Sequence, residues 1–278
     1  YWISPDTTLY HPDLFARRGG IKRMVRLRNP HQICVCVTGN GVLALLHQDS
    51  YANISAWSRL SVGGNVKDIC VLPQEDGTDV LYMLVRRTIG GVNKLYLEAI
   101  ADWTYAEENN WGYTGSSVTF IPAAASNVIT GLDHLEGKIV QVVSDRSYLG
   151  SWTVTGGQVT MLDGTGAAIN VSNAEIGVAT TCRVRTMPQI TQDPGSRKRF
   201  SSLYVRVVNS AKPLINGKRP RDREPITNMD EAQGPDIIND YEDENFGWNR
   251  TQVIQVGENL PVRVEILGIY GTVKSNSV

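Results

Sequence analysis

Few residues of this chain have types and spacings that could perform chemistry. His134 lies between Asp133 and Glu136, and imidazole and carboxylate groups are the usual agents of proton transfer. A polar turn that opens a strand explains the same residues, and we favour it. None of the four histidines has a serine or cysteine partner in the pattern of a nucleophile elbow: His11, His31, His47 and His134. The sequence therefore predicts no catalytic residues and no enzyme.

Two groups of residues resemble parts of metal sites. The acidic stretch from Asp240 to Glu244 offers oxygens that suit calcium, but it lacks the central glycine and terminal glutamate of an EF-hand. We interpret it as a loop that faces solvent or a partner. Cys34 and Cys36 share one face of the strand-like run 33–37, and no second Cys/His pair accompanies them. They are predicted to be buried free thiols, and no cofactor is predicted.

Basic stretches lie at 17–28 and 197–199 and could contact phosphate. Apolar residues interrupt the first, which favours an edge strand with its charges in water. The second stretch follows a tight turn and lies at the start of a strand. For both basic stretches we favour a role in ion pairs, either within one subunit or between subunits. The basic block 212–223 and the acidic block 230–244 could meet between copies. The candidate interface or channel residues are Arg197, Lys198, Arg199, Asp240, Glu242, Asp243 and Glu244.

Composition favours strands throughout the chain of 278 residues. Glycine is abundant (26), phenylalanine is scarce (4), and β-branched residues and tyrosine recur. The net charge of −1 does not demand nucleic acid or an acidic membrane as a partner. No apolar run approaches the roughly 20 residues of a membrane helix, and there is no signal-peptide core. The sequence predicts an all-β protein without membrane insertion.

The strand pattern divides the chain into three parts. Residues 1–130 contain partial propeller-like sheets, the last blades of a propeller: one four-stranded blade preceded by part of another. They end in an aromatic connector (101–130) that includes Trp103 and Trp111. Residues 131–178 carry four short apolar runs (139–143, 152–154, 159–162 and 169–171), which we expect to close into a small inserted β-barrel because short open sheets are unstable.

Residues 179–278 are predicted to form a C-terminal antiparallel sheet with a long charged loop at 209–251. Its last two strands, 252–256 and 260–267, should form a hairpin around Gly257-Glu258-Asn259. The chain begins at Tyr1 in the middle of a pattern, so we expect further sequence, and further blades, before it.

Several motifs keep a fixed order between residues 9 and 208. They include Gly19-Gly20-Ile21-Lys22-Arg23-Met24, Asn29-Pro30-His31, Ala56-Trp57-Ser58-Arg59, Thr88-Ile89-Gly90-Gly91, Gly131-Leu132-Asp133-His134 and Gly195-Ser196-Arg197-Lys198-Arg199. In this order they resemble the C-terminal half of a bacteriophage tail family, the phage stabilisation proteins, which are similar to tail nozzle or hub proteins of short-tailed phages. The 131–178 module resembles the first-catalytic-cysteine half-domain of ubiquitin-activating enzymes. It contains no cysteine, so no ubiquitin chemistry is implied.

The resemblance implies a structural virion protein, made in the bacterial cytoplasm and located in the tail. It would be one subunit of a hexameric nozzle or hub ring that extends the DNA ejection channel. Its partners would be identical subunits, the adaptor and tail fibre, and DNA that passes without specific binding. The alternative is a β-rich binding module that recognises a host-surface glycan or a tail fibre through the small barrel or through Trp103 and Trp111.

Overall fold

Strands make up nearly all of the regular structure, as the composition predicts. The computed structural model describes residues 6–8, 13–49, 54–100, 114–145, 147–188, 196–220, 238–243, 247–250 and 253–276. Within them lie nineteen strands in antiparallel sheets, one short helix, α1 (Asp13–Ala16), and one 3-10 helix (Asp133–Leu135). The all-β prediction is confirmed.

The first unit consists of two sheets. Four strands follow one another in a meander: β1 (Ile21–Leu27), β2 (Ile33–Thr38), β3 (Leu43–Asp49) and β4 (Ile54–Leu60). Three strands form the next sheet, with β6 in its centre: β5 (Asn65–Pro73), β6 (Asp79–Ile89) and β7 (Val92–Ala99). The strands predicted between 33 and 100 are confirmed, but their grouping differs, because β1 completes the first sheet and leaves three strands for the second. The propeller arrangement itself stays a prediction.

The two sheets of the first unit enclose one apolar core. Successive residues of a strand point to opposite faces, so Val35 and Val37 of β2 are buried against Leu81, Met83 and Val85 of β6. The intervening residues of β6 point away from this core. The basic stretch forms the edge strand β1, as predicted, at one end of the meander.

The middle unit starts earlier than residue 131. Its larger sheet has the order β11-β10-β13-β8, and a separate two-stranded sheet pairs β12 with β9, which is distant in sequence. The strands are β8 (Gly115–Phe120), β9 (Val128–Thr130), β10 (Ile139–Ser144), β11 (Ser147–Thr153), β12 (Gln158–Thr160) and β13 (Ala174–Val178). Residues 114–130, predicted as part of a connector, therefore supply two strands of this unit. Trp103, Tyr105, Trp111 and Tyr113 lie outside the described residues.

The predicted closed barrel is wrong for the described residues. They form two open sheets around one core, and the run 169–171 makes only isolated bridges, while the fourth strand is β13. A barrel is not needed, because Leu132 and Leu135, at and beside the 3-10 helix, fill the space between the sheets and are fully buried. The Gly156-Gly157 turn is confirmed, with both residues at positive φ.

The C-terminal unit has two three-stranded sheets. One has the order β14-β18-β16: β14 (Cys182–Arg185), β16 (Leu214–Ile215) and β18 (Gln255–Glu258). The other has the order β17-β15-β19: β15 (Arg197–Val208), β17 (Ile238–Asp243) and β19 (Glu265–Asn276). Their shared core contains Leu203, Val205 and Val207 of β15 together with Ile215, Ile254 and Val256.

Two predictions for this unit are wrong. The predicted final hairpin does not form: β18 pairs with β14 and β16, while β19 pairs along the length of β15. Pairing with the long β15 buries more apolar surface than a short local hairpin could. The stretch 209–251 is not one continuous loop, because β16 and β17 lie within it.

Candidate interaction surfaces

The basic triplet 197–199 does not form an open phosphate site. Arg197 is exposed, but Lys198 is 2% exposed and pairs through its backbone with Asn249. The guanidinium carbon of Arg199 lies 5.5 Å from the ring centre of Trp248, within the range of a cation–π contact. The backbone of Lys198 and the guanidinium of Arg199 therefore attach the 247–250 segment to the start of β15.

The acidic candidates lie on a strand rather than a loop. Asp240, Glu242 and Asp243 belong to β17, where their backbones pair with Arg206, Tyr204 and Leu203. Glu244 lies outside the described residues. Strand β17 is an edge of its sheet, so a run of acidic residue types occupies a position from which a partner can be reached.

An aromatic pair next to this edge was not predicted from the sequence. The rings of Tyr204 and Tyr270, which are opposite each other on β15 and β19, stack with centres 5.6 Å apart and an angle of 18°. Arg206 lies 5.5 Å above the Tyr270 ring. Tyr204 and Tyr270 are 66 residues apart in sequence, and the pairing of β15 with β19 brings their rings together. The alternation of residues within each strand does not indicate which strands pair, so it could not predict this contact.

A buried ion pair forms the junction between the first and middle units. The guanidinium of Arg87, on β6, pairs with the Glu98 carboxylate on β7; the side chains are 1% and 16% exposed. Arg87 Nη2 also donates to the Val62 carbonyl at 2.7 Å and to the Ser116 hydroxyl of β8. One arginine thus joins two strands of the β5-β6-β7 sheet, and the segment that precedes it, to a strand of the middle unit.

His134 takes part in the same junction. Its Nε2 donates to the Ser116 carbonyl at 2.9 Å, and its ring meets Tyr96 edge-on with centres 6.1 Å apart. Glu136 accepts hydrogen bonds from the backbone amides of Gly156 and Gly157, at 3.1 and 2.7 Å. The interpretation of Asp133 to Glu136 as a polar turn is confirmed, since His134 and Glu136 hold backbone groups in place.

Glu175 is a second buried charged residue, and it lies within the middle unit. It is 2% exposed, and its carboxylate accepts hydrogen bonds from the backbone amide and the hydroxyl of Thr114. These bonds fix the start of β8 against β13. Sequence reasoning missed Glu175 because the residues that bond it are 61 positions away.

Gly177, on β13, allows β8 to approach closely. A Cβ atom here would lie 2.7 Å from the Gly115 carbonyl oxygen and 2.7 Å from Thr114 Cβ. We expect Gly177→Ala to lower the free energy of unfolding by about 1–3 kcal/mol, because backbone must move to make room. Gly164→Ala, with nothing within 4 Å of its added Cβ, is the control and should change it by less than about 0.5 kcal/mol. Equal melting temperatures for the two variants would contradict this prediction, because they would show that β8 can move away from β13 without loss of stability.

The thiols at 34 and 36 are free, as predicted; Cys36 is fully buried, whereas Cys34 is only half-buried, which differs from the prediction. Burial, with the neighbouring Cys34 adding to it, raises the pKa of Cys36 to about 12, so its thiol is unreactive at neutral pH. Cys70 and Cys182 are exposed. Among the described residues, no group of three or more His, Cys, Asp or Glu is arranged to hold a metal ion.

The chain matches no protein-family model and no curated protein. In the part of the chain that the structure describes, no helix has the length and apolar character needed to cross a membrane.

Proposed function

We propose that this chain is a structural protein of a phage tail, a subunit of the nozzle or hub ring that extends the DNA ejection channel. The ordered motifs from Gly19 to Arg199 are the sequence feature behind the proposal. The observation that carries it is the buried junction of Arg87, Glu98, Ser116 and His134, because it fixes two β units to each other. A ring that holds pressurised DNA needs units that do not move against each other.

Mass and shape of the native assembly test the proposal. The chain has a mass of 30.6 kDa, and we expect native mass spectrometry to show one closed oligomer at a whole multiple of it, with a hexamer as the predicted state. Electron microscopy should show a ring with a central opening. A chain that stays monomeric at every concentration, or an oligomer without an opening, would contradict the proposal.

The affinity of the ring for duplex DNA separates a channel protein from a DNA-binding protein. A channel must let DNA slide, and contacts between cationic side chains and phosphate would hold it. The ring should therefore bind duplex DNA weakly at moderate salt, in the range of about 10⁻⁴ to 10⁻⁶ M that is typical of non-specific binding, or more weakly. Nanomolar binding in a mobility-shift assay would favour a DNA-binding protein instead.

A further inference from the structure

The outer face of the β5-β6-β7 sheet is apolar although it points away from the core. Pairing places residues that lie opposite each other on the same face, and Leu84 is opposite Leu97, Cys70 opposite Tyr82, and Leu72 opposite Val80. The side chains of Leu72, Leu95 and Leu97 are 51%, 58% and 73% exposed. We call Cys70, Leu72, Tyr82, Leu84, Leu95 and Leu97 the outer apolar face.

Charged residues lie beside part of this face, because Asp68 is opposite Leu84 and Arg86 is opposite Leu95. Asp68 is neutralised there by Arg23 of β1, whose Nε lies 2.5 Å from its Oδ1. Lys67 lies at a β-bulge of β5, and its pKa is lowered by desolvation and then by the nearby cations Arg86 and Lys22. Like charges left together on a surface are stabilised by a partner that brings carboxylates. The partner should therefore be flat and apolar in the middle, with acidic residues at one side.

We propose that a second copy of this chain packs on the outer apolar face. The chain itself carries the complementary charge: Asp240, Glu242 and Asp243 lie on the edge strand β17, whereas 17–28 contains six cations and no acid. A contact between two different surfaces of identical subunits is the kind that closes into a ring. The inference rests on the proposed function, and it names the subunit surface that the ring would use.

The size of the face sets the strength of the contact. Three strands about 4.8 Å apart and about eight residues long cover roughly 400 Å². A stable pair of proteins needs about 800 Å² from each partner. Two copies should therefore associate weakly as a pair, and a closed ring should be stable because every subunit makes the contact twice.

The experiment measures self-association of the full chain by sedimentation velocity over a range of concentrations. Leu97→Asp should weaken association at least tenfold, since a charge replaces an apolar side chain in the contact. Ile121→Asp is the matched control, because Ile121 is 71% exposed but belongs to the middle unit, and it should change association less than about twofold. Both variants replace exposed side chains, and equal melting temperatures will show that the fold is kept.

Native thiols provide a second measurement that needs no variant. Alkylation of Cys70 should slow as the protein concentration rises, whereas Cys182, which is exposed elsewhere, should react at a constant rate. Slow alkylation of Cys70 at all concentrations would mean that another part of the same chain covers the face, and it would overturn the inference.

The outcomes separate this inference from the proposed function. A ring that forms equally well with Leu97→Asp, and in which Cys70 stays reactive, would overturn the inference and leave the function standing. Association that Leu97→Asp abolishes, but that produces no ring with an opening, would support the surface and contradict the tail function.

Discussion

Replacing Arg87 by methionine is expected to lower the free energy of unfolding by about 3–5 kcal/mol, the usual cost of removing one partner of a buried ion pair. Glu98 would lose its cationic partner at a site where its side chain is only 16% exposed. The Val62 carbonyl and the Ser116 hydroxyl would each lose a charged donor as well. Urea unfolding followed by tryptophan fluorescence measures the change.

Two further variants show whether the charge or the packing is responsible. Arg59→Met replaces an exposed arginine of β4 and should change stability by no more than about 0.5 kcal/mol. The double variant Arg87→Met/Glu98→Leu should recover most of the loss, because an apolar pair of similar volume leaves no charge unpaired. If Arg87→Met were as stable as Arg59→Met, the pair would behave as a solvated surface bridge worth at most about 1 kcal/mol.

The same substitution should loosen the junction between units. Arg87 bonds Ser116 of β8, and His134 bonds the backbone of the same residue. Amide exchange in β8 should therefore speed up in Arg87→Met more than exchange in β2, which lies in the core of the first unit. Equal acceleration in both strands would mean that the variant destabilises the whole chain without acting on the junction.

Local patterns predicted the hairpins of this fold well. The alternation of β6 is strong because only one of its faces is buried in the core, whereas β2 and β3 are continuous apolar runs that are buried along most of their length. The Gly156-Gly157 turn follows from two residues that tolerate positive φ. Both kinds of signal act between residues that are close in sequence, so they can be detected without knowledge of the tertiary structure.

The pairing of strands that are far apart in sequence could not be predicted from local patterns. Gly115–Phe120 contains small polar residues and is a strand because β13 pairs with it, about 55 residues later. The wrong prediction of a hairpin at 252–267 has the same cause. A local hairpin competes with pairing to the long β15, and the alternation of residues in this segment is equally compatible with both pairings. The buried charges Glu175 and Arg87 were missed because charged residues are expected at the surface unless their partners are known.

Glu258→Ala is expected to lower the free energy of unfolding by about 3–5 kcal/mol, in the C-terminal unit. The Glu258 side chain is 1% exposed, and its carboxylate oxygens lie 2.9 and 3.3 Å from the two terminal nitrogens of Arg219. It also accepts hydrogen bonds from the backbone amides of Asn259 and Leu260. Alanine would leave two part-buried amides and the Arg219 guanidinium, whose side chain is 21% exposed, without their acceptor, and this costs more than the loss of a surface contact.

The neighbouring pair Arg263–Glu265 is the control for this prediction. Its atoms approach to 2.7 Å, yet the Glu265 side chain is about half exposed, so Glu265→Ala should cost at most about 1 kcal/mol. Glu258→Gln should fall between the two, because an amide oxygen can still accept the backbone bonds but carries no charge for Arg219. Equal unfolding midpoints for Glu258→Ala and Glu265→Ala would refute the prediction. The turn after β18 would then be held by packing of Val256 and Val262 rather than by the buried carboxylate.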